Sequence, residues 1–162
     1  MQRVPWSKGE RGEWYVVAQV GLFALIVLGP RNLPGSSPWA APYAWLATAA
    51  GVALALAGVA LSAAGVLRLG PNLTPLPYPK DDSVLVESGP YAVVRHPIYS
   101  GLIIAALGWA LVVQGILTFC YASALFVFFD VKSRREERWL CDKFSHYGDY
   151  QRRVRKLLPW VY

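Results

Sequence analysis

The chain alternates between long apolar runs and short polar connections, and the runs predict helices. The clearest, residues 43–67, reads YAWLATAAGVALALAGVALSAAGVL and carries no charged side chain. About 20 apolar residues are enough to cross a bilayer core as a helix. Its Gly and Ala content lets a neighbouring helix approach closely. An earlier run spans residues 14–29 and ends at Gly29-Pro30. Two later runs, residues 99–113 and 115–131, are parted only by Gln114-Gly115, which predicts a tight helical hairpin. At a rise of ~1.5 Å per residue the third run is shorter than a ~30 Å core, so the hairpin tip is expected to stop below the far surface.

The connections are legible too. Residues 30–42 (PRNLPGSSPWAAP) form a Pro/Gly/Ser-rich loop. Residues 70–98 form a larger loop. Its first half, GPNLTPLPYPKDD, is too rich in proline for a regular helix. Its second half, SVLVESGPYAVVRHP, carries two short β-branched runs around a Ser88-Gly89-Pro90 turn. Residues 132–144 read as helical, supported by strong helix formers and a Lys132/Glu136 pair at i, i+4. Gly148 is expected to break or bend it, and residues 149–158 to form another short helix stopped by Pro159. Trp14, Tyr15, Tyr43, Trp45, Tyr99 and Trp160 stand near segment ends, where aromatic side chains anchor at a membrane interface.

These elements predict an all-α integral membrane protein with about four transmembrane helices. Helices 3 and 4 form a hairpin, and a helical C-terminal tail follows. Composition agrees: 55% of residues are hydrophobic and 16% charged, against about 25% charged in soluble domains. Charge gives the orientation. With four crossings, both termini and residues 67–98 share a side, and every one of the 16 basic residues except Arg31 falls there, including Arg3, Lys8, Arg11 and Arg68. The positive-inside rule makes that side cytosolic. The run at 14–29 follows a polar leader and no small-x-small site comes after it, so it is expected to stay as an anchor.

The net charge of +6 calls for no nucleic-acid partner. The tail KSRREERWLCDKFSHYGDYQRRVRKL is mixed in sign, and a basic tail is expected beside anionic lipid. Cys120 and Cys141 fall where a disulfide is not favoured. With only His96 and His146, the chain also lacks the ligands of a typical zinc site.

Two polar clusters border the cytosolic ends of the runs. In Arg95-His96-Pro97-Ile98-Tyr99-Ser100-Gly101, Pro97 suits the first position of a helix. The free N–H groups there can hold an anion such as a carboxylate. His96 and Tyr99 share a face, and Gly101 clears space beside it. An interfacial helix start with ordinary anchors fits the same residues. In the second cluster, Lys132 and Glu136 share a face. A stop-transfer charge run fits equally, although that role has no use for Glu136-Glu137. A tight hairpin would bring His96, Tyr99, Lys132 and Glu136 together. Tyr147, Tyr150 and Arg153, each three apart, would make an aromatic and cationic lid, and a Tyr face can attract a sulfonium cation. A tail packed on the membrane surface is the plainer alternative.

Taken in order, LVESGPYAVVRHPIYSG, a hydrophobic hairpin, KSRREERWL, FSHYGDYQRRV and a final proline resemble the isoprenylcysteine carboxyl methyltransferase family, and its small prokaryotic members in size. That family is membrane-embedded and uses S-adenosylmethionine. The resemblance covers roughly residues 66–162; the first two helices match only in character. It implies one domain over 1–162, with two N-terminal helices to residue 65 and then a cofactor loop, hairpin and tail. It implies that Ser83, Val84, Leu85, Val86, Tyr91, His96, Pro97, Ile98, Tyr99 and Glu136 bind S-adenosylmethionine. Lys132 stands where the family places a basic residue that orients the acceptor's carboxylate, an arginine in eukaryotic members. The Phe144-x-x-Tyr147-x-x-Tyr150 spacing is one residue shorter than in those members.

The expected activity is methyl transfer from S-adenosylmethionine to a lipophilic acceptor entering from the bilayer, an isoprenylcysteine-like carboxylate. Such a carboxylate is already ionised at neutral pH and needs no general base. Positioning then supplies much of the catalysis. Lys132, helped by Arg95, is the candidate catalytic pair, with Arg135, Tyr147 and Tyr150 on the acceptor side. A phospholipid or small-thiol methyltransferase differs only in acceptor. An NADPH-dependent sterol-type reductase looks similar around Arg-His-Pro-x-Tyr. It usually carries Asn where this chain has Ile98, and an acidic residue where it has Leu102. A non-enzymatic membrane scaffold is the remaining alternative.

Overall fold

The structure is a computed structural model that describes residues 12–36, 39–159 and 161–162. The basic residues Arg3, Lys8 and Arg11 and the anchor Trp160 lie outside the described residues. Five α-helices make up the fold: α1 (Glu13–Leu28), α2 (Tyr43–Leu69), α3 (Pro97–Val113), α4 (Ile116–Lys143) and α5 (Tyr147–Arg153). No strand occurs among the described residues.

The helix ends follow the punctuation of the chain. α1 stops at Gly29, before Pro30, and α2 stops at Gly70, whose φ of 52° lies in the left-handed region that glycine tolerates. Pro71 then forbids continuation. α3 begins on Pro97 and ends on Gln114, also left-handed at φ 52°. The Gln114 carboxamide holds that turn in place by donating to the Ala44 carbonyl (2.9 Å) and to Thr48 Oγ1 (3.2 Å). The expected hairpin is therefore present and closed on Gln114-Gly115.

α2 and α4 are long and apolar enough to cross a membrane, at about 40 Å each by helical rise. α1 and α3 are shorter apolar helices. The outer faces of α1 and α2 leave Trp14, Val20, Leu28, Trp45, Leu56 and Leu67 exposed. Apolar surface so continuous belongs against lipid or a partner rather than water.

α2 buries only Gly51, Gly58 and Gly65, seven residues apart and so on one face. They lie directly on α3. A Cβ on Gly58 would stand 2.5 Å from both the Gly101 carbonyl oxygen and the Ala105 nitrogen. The two backbones thus touch without side chains between them, as small residues allow in lipid. A second core joins Ile26 of α1, Ile103 and Ala106 of α3, Leu125 and Phe129 of α4, and Leu157 of the tail.

The helix expected over residues 132–144 is present as the continuation of α4, which runs unbroken to Lys143, since Lys, Arg and Glu are good helix formers and nothing there breaks the ladder. Two expectations change. The break falls at residues 144–146, and Gly148 sits inside α5. Residues 154–158 are not helical. Their carbonyls are used elsewhere, with Arg95 N–H donating to Arg155 O (2.8 Å), His96 N–H to Lys156 O (3.1 Å) and Ser100 Oγ to Leu157 O (2.6 Å). The two β-branched runs form no strand, in keeping with an all-α fold. Residues Gly89–Ala92 make a 3-10 turn, and a single bridge, Val94 to Arg155, is all the pairing they find.

Candidate active site

The tail strap across the start of α3 fixes the site. Pro97 sets the first turn of α3, which places His96 and Tyr99 on the face toward α4. Their rings stack at 5.4 Å and 4°, and Tyr99 stacks on Phe129 of α4 at 4.5 Å and 11°. Lys132, one turn beyond Phe129, sets its ammonium 5.2 Å from the Tyr99 ring centroid, a cation–π distance. Glu136, one turn further, accepts a hydrogen bond on Oε2 from the Tyr99 hydroxyl at 2.8 Å and lies 3.8 Å from His96 Nδ1. The expected convergence of His96, Tyr99, Lys132 and Glu136 is present.

Behind them sits a buried ionic knot. Glu137 Oε1 accepts from Arg95 Nε (2.8 Å) and contacts His96 Nε2 (3.0 Å), while Oε2 accepts from Gln151 Nε2 (3.0 Å). Arg95 also donates from Nη1 to the Gln151 carbonyl (3.1 Å) and to the Val154 carbonyl. A buried charge is tolerated only when paired and hydrogen-bonded, and Glu137 meets both conditions. The knot ties α3, α4, α5 and the tail together and sets the plane of the His96 ring.

These residues open into a cavity of about 290 Å³, close to the lower end of small-molecule sites. Its walls carry Ser83, Val84, Leu85, Val86, Tyr91, Arg95, His96, Ile98, Tyr99, Lys132, Glu136, Tyr147 and Tyr150. The proline-rich loop forms its cover through Asn72 to Pro77 and Pro79. Lys143 pins that loop by donating to the Asp81 carbonyl (3.0 Å), to Ser83 Oγ (2.8 Å) and to the Lys80 carbonyl. Val84 N–H donates to Asn72 Oδ1 at 3.0 Å.

Two expected site residues stand apart. Pro97 is buried toward Gly65 of α2 and does not line the cavity. Arg135 is exposed, its guanidinium 4.6 Å over the Trp139 ring, and does not line it either. Tyr147 and Tyr150 form a buried wall rather than a surface lid, with the Tyr150 hydroxyl donating to the Tyr91 carbonyl at 2.6 Å. Burial raises the phenol pKa of Tyr91, Tyr147 and Tyr150 well above the ordinary value, and neighbouring carboxylates, Glu136 at Tyr91 and Glu137 at Tyr147, push the same way. These phenols stay protonated donors. Arg153 points away, to an exposed pair with Glu87 (2.7 Å).

Sequence reasoning missed Gln19 and the part played by Glu137. Gln19 was visible as a lone amide in an otherwise apolar run. Glu137 was visible as the second acid of a pair that a stop-transfer segment does not require.

The fold is helical, with two helices long and apolar enough to cross a membrane, and the cavity sits at the polar end of the α3–α4 hairpin. The family model described as phospholipid methyltransferase matches residues 46–147, and the chain belongs to that family. Its fold is that of the eukaryotic intramembrane Ras methyltransferase, isoprenylcysteine carboxyl methyltransferase: the solved structure superposes with a TM-score of 0.65 and 24% identity, over 94% of this chain and 54% of that one. The chain is 37% identical over 79 residues to protein-S-isoprenylcysteine O-methyltransferase of Schizosaccharomyces pombe, covering 48% of this chain and 32% of the relative. It is 38% identical over 71 residues to methanethiol S-methyltransferase 1 of Bradyrhizobium diazoefficiens, covering 43% of this chain and 24% of the relative. The resemblance read from the motifs thus holds for the fold and for the relatives. In each of these curated relatives the match spans less than two-fifths of the protein's own length.

Proposed function

We propose that this protein is an S-adenosylmethionine-dependent methyltransferase acting on a lipophilic acceptor with an acidic head, such as an isoprenylcysteine-like carboxylate. The observation that carries the reading is the meeting of Tyr99, Lys132 and Glu136 in one cavity at the polar end of the apolar helices.

The chemistry of the walls suits the cofactor. Glu136 reaches the cavity with one oxygen held by Tyr99; among the described residues no hydrogen bond is made to its other oxygen. That oxygen is an acceptor for hydroxyl or ammonium groups. The aromatic faces of Tyr99, Tyr147 and Tyr150 suit an organic cation, and Val84, Leu85 and Val86 offer an apolar edge with backbone polar groups. When bound, the cofactor supplies a methyl carbon on positively charged sulfur, which an acceptor oxygen displaces as the carbon–sulfur bond breaks. Lys132 holds the acceptor head by charge. Arg95 acts through Glu137, keeping His96 and the tail in place. The tyrosines and the proline-rich cover keep water from the reacting atoms.

In this reading α1 to α4 cross the membrane, the short α1 and α3 being accommodated by local thinning or by snorkelling of flanking residues. Both termini, the 70–98 loop and the cavity face the cytosol, as the excess of Lys and Arg on that side requires. The apolar helices admit the greasy part of the acceptor. The test is transfer of label from methyl-labelled S-adenosylmethionine to N-acetyl-S-farnesylcysteine and to host lipid extract. Label in the acid probe supports the reading. Label only in phospholipid moves the acceptor class, and label in neither contradicts the reading.

A further inference from the structure

Gln19 is the one carboxamide in α1, and it projects into the cavity from outside the segment matched by the family. A polar group on a lipid-crossing helix is costly without a partner. Its partner here is Lys132, whose ammonium donates to Gln19 Oε1 at 2.7 Å and to the Pro75 carbonyl at 3.1 Å. Lys132 is 1% exposed. Both oxygens that hold it are neutral. Among the described residues no carboxylate comes within ion-pair distance of Lys132. Glu136, one turn on, gives one oxygen to Tyr99, and the hydrogen bonds of Lys132 go to Gln19 and Pro75 instead. A buried cation hydrogen-bonded only to neutral oxygens lacks the directly paired counter-ion that would best offset its desolvation.

We infer that Gln19 is a positioning and specificity-determining residue: it holds the Lys132 ammonium in the cavity for the acceptor and selects acceptors with an anionic head. Its neutral oxygen orients Lys132 yet leaves the ammonium without a directly bonded counter-ion. A carboxamide also carries two donors beside its acceptor. When the acid arrives as the counter-ion of Lys132, the terminal amide turns and donates to the acid's second oxygen. α1 is thereby part of the acceptor site and not only an anchor. This inference rests on the methyltransferase reading above.

The test uses full-length protein in detergent with N-acetyl-S-farnesylcysteine and its neutral carboxamide as probes, and S-adenosylhomocysteine as a fold and cofactor control. Q19L removes one charge-assisted contact, worth about a tenfold rise in KM for the acid, with kcat and S-adenosylhomocysteine affinity unchanged. Q19E places a permanent carboxylate against Lys132. It is expected to abolish the preference for the acid over the carboxamide in competition while still binding S-adenosylhomocysteine. An acid KM and an acid-to-carboxamide preference unmoved in both variants would overturn the inference. So would a parallel loss of S-adenosylhomocysteine affinity, which marks a structural role. If the wild type binds S-adenosylhomocysteine but does not methylate the acid, selection of acids is refuted while the methyltransferase reading stands. If the wild type binds no S-adenosylhomocysteine, that reading fails and this inference fails with it.

Discussion

The Tyr99 hydroxyl donates to Glu136 Oε2 at 2.8 Å across the mouth of the α3–α4 hairpin. The bond joins the first turn of one helix to the polar end of the other and aims the Glu136 carboxylate into the cavity. Tyr99→Phe keeps the stack on Phe129 and the face offered to Lys132, and removes only this donor. A hydrogen bond to a charged group is worth about 1.5 kcal/mol or more, so S-adenosylhomocysteine affinity should fall by about tenfold. Unchanged affinity in a calorimetric titration would show that Glu136 needs no such support.

Glu136 and Glu137 are neighbours with different work, and their variants should separate. Glu137 is buried against Arg95, His96 and Gln151. Glu137→Ala leaves those groups unpaired, a loss of about 3–5 kcal/mol for a broken buried pair. It should show as a large drop in melting temperature in detergent. Glu136→Ala should leave the melting temperature close to wild type and abolish cofactor binding. Equal destabilisation by both would contradict this division.

The parts of the site that follow from periodicity and turn chemistry were legible in the sequence. Pro97 as a helix start, the Gln114-Gly115 turn and the i, i+4 pair at Lys132 and Glu136 were enough to bring residues 96–99 and 132–136 together. What was not legible depends on contacts distant in sequence. Residues 154–158 have helical composition, but their carbonyls bond the N–H groups of Arg95 and His96 and the Ser100 hydroxyl instead. Tyr147 and Tyr150 read as a lid because their spacing cannot tell which face the tail presents; Tyr91 takes the Tyr150 hydroxyl inward. The role of Gln19 needed the knowledge that α1 packs on α4.

The glycines of the apolar helices should differ sharply. Gly58→Leu forces a Cβ to 2.5 Å from the backbone of α3, and the helices must part. Little monodisperse protein should elute in size-exclusion chromatography. Gly21 of α1 has nothing within 4 Å of the position its Cβ would take, so Gly21→Leu should elute and melt like the wild type. A folded, monodisperse Gly58→Leu would mean that α2 and α3 are less closely apposed than described.

Lys132 should matter for the acceptor and not for the cofactor. Lys132→Met keeps most of the length of the side chain and removes the charge. With N-acetyl-S-farnesylcysteine the KM should rise at least about tenfold, since a charged contact is lost. S-adenosylhomocysteine affinity should remain close to wild type. A KM that does not move would take Lys132 out of the acceptor site.

The most direct measurement is calorimetric titration of the purified wild-type protein and of Glu136→Ala with S-adenosylhomocysteine. Saturable one-site binding by the wild type, lost in a variant that still elutes as a folded species, is the expected result. No heat from the wild type at millimolar ligand, or undiminished binding by Glu136→Ala, would contradict the assignment of this cavity to the cofactor.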